Sequence, residues 1–161
     1  MTVSEYNICV DNYSDGVYRF ILKNYKDGEG SKDVVQEAFA RLWEKRENVV
    51  FDKAKTYIFT TAYHAMIDMI RKDKNVTRFA DHHENRITVE NDFSDLNEVL
   101  TSALDSIPEI QRTVVLLRDY EGYSYKEIGE IANLNEPQVK VYIFRARIAL
   151  KQYIGSLDHV I

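Results

Sequence analysis

The chain has very little of several things. Cys9 is the single cysteine in 161 residues, so no internal disulfide can form, and a reducing cytosol is the simple expectation. Two prolines and six glycines are too few for extensive disorder. No apolar run is long enough to span a bilayer, and no basic start leads into an apolar stretch as in a signal peptide. The expectation is a cytoplasmic protein with no direct membrane insertion. Catalytic groupings are missing too: there is no Gly-rich phosphate loop and no Ser/His/Asp arrangement, and Cys9 is far in sequence from every histidine. The reading is no enzyme and no cofactor. His82, His83 and Glu84 adjoin one another, but without a second ligand pair at helical spacing they carry no metal expectation.

An overall excess of positive charge is absent as well. The net charge is −5, which at first counts against nucleic acid. By segment the picture changes: −3 over residues 1–52, +3 over 53–86, −6 over 87–123 and +2 over 124–152. Two mildly basic stretches flank a strongly acidic one. Such a balance suits a DNA reader that works inside a larger complex.

What is present is helical periodicity. The spacing predicts an all-α fold of two small helical domains joined by a flexible linker, the second containing a helix-turn-helix. The first domain covers residues 1–74, the linker 75–94 and the second domain 95–161. Ile8, Tyr13, Val17, Phe20, Ile21 and Tyr25 share one face of a helix over 8–26. Asp27-Gly-Glu-Gly30 breaks it, and Ser31 is expected to cap the next helix, with Val34, Val35, Ala38, Phe39, Leu42 and Trp43 as its apolar set. Asp33, Gln36, Glu37 and Arg41 lie toward the opposite face. They are either a solvated surface, the ordinary fate of helix charges, or a docking surface for a partner's charges.

Asp52 is expected to cap a third helix, over 53–72. Its inner stripe holds Tyr57 and Ile58, and it also carries Phe59, Tyr63 and His64 and ends in Arg71-Lys72-Asp73-Lys74. Rings beside cations are what unpaired bases call for, since bases stack while cations hold phosphates. The same rings could equally be core. Residues 75–94 lose the period and read as the linker. Beyond it, Ser94 or Asp95 opens a short helix, Pro108 falls near the first turn of the next, and Gly122 stops that one.

Ser124 to Arg147 organises the second domain. Ser124 and Glu127 form a capping box, and Ile128, Ile131 and Ala132 supply an apolar face. Asn133 can adopt the left-handed conformation at the break. Asn135 caps a second helix with Pro137 in its first turn and a buried stripe of Val139, Tyr142, Ile143 and Ala146. From Gln138 to Gln152 there are four basic residues, Lys140, Arg145, Arg147 and Lys151, and no acidic one. A helix in a major groove meets phosphates on both sides, so this one-sided charge fits DNA; a plain helix pair in an all-α core is the other reading.

Three motifs in order resemble bacterial sigma factors of the sigma-70 family. Asp33-Val-Val-Gln-Glu-Ala-Phe-Ala-Arg-Leu-Trp43 resembles their polymerase-binding helix. Tyr57 to Arg71 resembles their promoter-melting and −10-reading helix, and Ser106 to Arg147 their −35-reading domain. Order, spacing and linker resemble the compact extracytoplasmic-function (ECF) group. The resemblance implies binding of core RNA polymerase through Asp33, Gln36, Glu37 and Arg41. It implies −10 contacts by Tyr57, Tyr63, His64 and Arg71, a flipped −10 base held near Glu47 to Lys55, and −35 contacts by Lys140, Tyr142, Phe144, Arg145 and Arg147. It also implies an anti-sigma partner, often membrane-anchored in this group. His64 stands where many members have Asn. Val141 and Tyr142 replace a frequent Ser-Arg pair, so an Arg able to grip guanine in bidentate fashion is missing there. The alternatives are a stand-alone helix-turn-helix regulator and a helical adaptor that binds only protein.

Overall fold

The computed structural model describes residues 1–77 and 95–158. Among them every regular element is helical, and the chain divides into two compact units, Met1–Val89 and Glu90–Ile161.

The first unit packs three helices on one another: α1 (Val3–Tyr25), α2 (Gly28–Glu44) and α3 (Ala54–Thr77). The Thr2 hydroxyl accepts from the Glu5 N–H and the Glu5 carboxylate accepts from the Thr2 N–H, which starts α1 earlier than periodicity suggests. The core draws on Cys9, Val17, Phe20 and Ile21 from α1, Val34, Ala38, Phe39 and Leu42 from α2, and Ala54, Ile58, Phe59, Ala62 and Met66 from α3. Cys9, not Ile8, takes the inward position two turns before Val17; Ile8 is 43% exposed.

The start of α2 also differs from expectation. Lys26 takes the left-handed conformation (φ 63°) and ends α1. Asp27 then caps α2, its carboxylate accepting from the Glu29 and Gly30 N–H groups at 3.1 Å each. A carboxylate holding two N–H groups at the positive end of a helix outcompetes a hydroxyl four residues on. The two glycines are thus drawn into the first turn, and Ser31 is fully buried with its hydroxyl unpartnered. Asp52 likewise makes no cap: Phe51–Lys53 is a 3-10 turn leading directly into α3.

The second unit contains α4 (Asp95–Asp105), α5 (Glu109–Val115), α6 (Tyr125–Ala132) and α7 (Glu136–Asp158). Helices α4, α5 and α6 all pack against α7. Past Val115 the helix widens into a π-helical turn, Leu116–Tyr120. Thr113 through Leu117 are five consecutive buried residues, more than one side of a regular α-helix can face inward, and the wider turn accommodates them. Gly122 at φ 74° then reverses the chain. Residues 78–94, with His82, His83 and Glu84, lie outside the described residues.

Candidate nucleic-acid interface

The turn between α6 and α7 is set by local chemistry. The Ser124 hydroxyl accepts from the Glu127 N–H and the Glu127 carboxylate from the Ser124 N–H, both at 3.2 Å. Asn133 sits at φ 57°, ending α6 in the left-handed region. Asn135 and Gln138 repeat the reciprocal pattern at the start of α7, with side-chain oxygens 2.9 and 3.0 Å from the partner N–H groups. Gly129 is required by the corner itself: a Cβ there would lie 2.5 Å from the Leu134 carbonyl oxygen. The short α6 and the longer α7 are thereby locked at one crossing, the geometry of a helix-turn-helix.

Val139, Ile143 and Ala146 bury one side of α7 against the unit. Lys140, Phe144, Arg145 and Arg147 are exposed, and Tyr142 is half-buried at the edge of the packed side. Two of these cations are engaged within the unit. Lys140 Nζ lies 5.7 Å from the Tyr125 ring centroid, and Arg118 stacks on the same ring at 4.6 Å while donating to the Tyr123 carbonyl at 2.8 Å. The Arg147 guanidinium forks onto Asp119 in the π-helical turn, with contacts of 2.6 and 3.2 Å, and its hydrogen bonds to that carboxylate raise its pKa further. This partner could not be read from sequence spacing, because Asp119 and Arg147 are 28 residues apart. Arg147 therefore ties α7 to its scaffold, whereas Arg145 projects outward.

On α3, Tyr57 is half-buried, and His64 and Arg71 are exposed. Tyr63 is 7% exposed and Phe59 1%; the Phe59 ring packs 5.7 Å from Phe20. Helical spacing turns both toward α1 and α2, so the expectation that Tyr63 offers a free stacking ring is corrected: it is core. Exposed His64 lies beside it, ring centroids 5.9 Å apart. Lys72 adds a further exposed cation beside Arg71.

On α2, Asp33, Gln36, Glu37 and Arg41 are all exposed along one face. Glu37 and Arg41 pair at 2.5 Å one turn apart. Trp43, expected inside, is 38% exposed: Tyr6 meets it edge-on at 4.9 Å and the Arg46 guanidinium covers its ring at 3.9 Å. Trp43 is on the rim of the α2 face, and only the contact with α1 reveals it. Among the described residues no group of three or more His, Cys, Asp or Glu is placed to hold a metal ion, and no helix is long and apolar enough to cross a membrane.

Residues 9–76 match the family model of Sigma-70 region 2, and residues 97–150 match that of Sigma-70, region 4. The ECF RNA polymerase sigma factor SigM of Bacillus subtilis is 31% identical over 144 residues, covering 86% of this chain and 88% of that protein. RNA polymerase sigma factor SigV of the same organism is 26% identical over 141 residues, covering 86% and 84%. The chain belongs to the sigma-70 family of RNA polymerase sigma factors, in its ECF group. Among solved structures, the sigma factor RpoE of Bartonella quintana, in complex with the anti-sigma factor NepR, shares the fold at a TM-score of 0.83 and 18% identity, over 95% of this chain and 98% of that one. CnrH, in complex with the cytosolic domain of CnrY, does so at 0.70 and 19%, over 94% and 88%.

Proposed function

We propose that this chain is a transcription initiation factor that binds core RNA polymerase, directs it to a class of promoters and helps open the duplex. The observation that carries the reading is the order of two sigma units in one chain, the second presenting an exposed, cation-bearing face on α7. Residues 1–74 dock on polymerase and handle the −10 element, 75–94 connect, and 95–161 read the −35 element. Asp33, Gln36, Glu37 and Arg41 form the docking face. Tyr57, His64 and Arg71 meet the opened −10 strand, with Tyr63 supporting them from the core. Lys140, Tyr142, Phe144 and Arg145 face the −35 duplex, and Arg147 holds their helix in place.

The chain carries out no chemistry of its own and acts in the cytoplasm, a reading that its membership of the sigma-70 family supports. The RpoE structure is a complex with an anti-sigma factor and that of CnrH a complex with the cytosolic domain of CnrY, which supports an anti-sigma factor for this chain too, one that can be membrane-anchored. Run-off transcription tests the proposal. Promoter-dependent transcript is expected only when core polymerase and this protein are both present. Tight duplex binding by the protein alone, with no gain in transcript on adding core polymerase, overturns it.

A further inference from the structure

The outermost face of α7 is apolar. Val139, Ile143 and Ala146 mark its buried side. At 3.6 residues per turn, Pro137, Val141, Phe144 and Ile148 fall on the side directly opposite. All four are exposed, Phe144 at 65% and Val141 at 44%. Exposed Lys140 and Lys151 flank this ridge on one side, and exposed Gln138 and Arg145 on the other. Pro137, Gln138, Val141, Tyr142 and Arg145 line a shallow depression near the start of the helix.

A helix in the major groove meets a phosphate wall on each flank and base edges beneath. The flanks of α7 supply cations to both walls, while the ridge supplies neither donor nor acceptor. Hydrogen-bonding groups on the base edges would be left unpaired against it. The one apolar group on the floor of that groove is the 5-methyl of thymine. Base edges are read from the first turns of a recognition helix, which is where Val141 and Phe144 sit. Resting on the promoter-reading role above, we propose that Val141 and Phe144 choose the −35 sequence by packing against thymine 5-methyl groups, with Val141 a specificity-determining residue. Cations on both sides of the ridge favour a polyanion over an apolar protein surface as its occupant.

The test uses the full chain with core RNA polymerase and a pool of duplexes randomised across the −35 region. The selected duplexes are expected to hold thymine at one or more positions. Replacing each with uracil, which removes only the methyl, weakens binding about three- to five-fold per position. Val141→Ala brings the thymine-over-uracil ratio toward one at one position, and Phe144→Ala does so at another. Both leave the salt dependence unchanged, because no phosphate contact is lost. A parent ratio of one, or a ratio that survives both substitutions, overturns the proposal. If no duplex is selected at all, the promoter-reading role fails first. If Val141→Ala instead abolishes capture of core polymerase, the ridge binds protein and the proposal falls.

Discussion

Gly129→Ala sets two opposed effects against each other. In an open helix position, replacing Gly with Ala stabilises by about 1 kcal/mol through backbone entropy. At Gly129 the new Cβ would lie 2.5 Å from the Leu134 carbonyl oxygen. That oxygen belongs to the backbone of the turn, so it cannot swing aside as a flexible side chain would. Overpacking of this kind costs about 1–3 kcal/mol, and so close an approach to backbone belongs at the upper end. The net expectation is a loss of about 2 kcal/mol, or roughly 8–16 °C in Tm for a unit of this size. Gly155→Ala, in α7 of the same unit, is the control: nothing lies within 4 Å of its Cβ. It should gain up to about 1 kcal/mol. Far-UV circular dichroism follows the melting of the whole chain. Trp43 is the only tryptophan, so its fluorescence reports the first unit. The expected result is a lowered dichroism transition with an unchanged fluorescence transition. A Gly129→Ala protein as stable as the parent, or more so, would refute the argument that this turn demands a missing side chain.

Arg145→Ala should weaken −35 binding and lower the slope of log affinity against log salt by about one; an unchanged slope removes Arg145 from the phosphate interface. Asp119→Ala breaks the fork with Arg147 and should cost no more than about 1 kcal/mol, since the pair is half-exposed. It also releases a cation toward the groove, so the salt slope should steepen, and a flatter slope would contradict this. Glu37→Lys reverses a docking charge and breaks the pair with Arg41, and core polymerase should be captured poorly; normal capture would count against the α2 face.

Several features follow from short-range chemistry and were readable directly. The Ser124–Glu127 box, the left-handed Asn133 and the Asn135 cap depend on residues at most three apart, where backbone geometry leaves little choice. The buried Val139–Ile143–Ala146 stripe and the outward Arg145 follow from the same 3.6-residue repeat. Aromatic residues were harder to place. Tyr63 and Trp43 each follow a fully buried residue, Ala62 and Leu42, yet one is core and the other rim. Periodicity puts a residue on a face but does not say how far the neighbouring helix covers that face.

Helix period, caps and the alternation of charge along the chain therefore settled the all-α class, the turn and the cationic character of α7. Tertiary packing decided the rest: Tyr63 turns inward, Trp43 stays on the rim, and Arg147 is held by Asp119. The reason is range. A cap or a helical stripe is fixed by neighbours within a turn or two, whereas burial and ion pairing depend on which distant segment arrives alongside, as Asp119 does for an arginine 28 residues away.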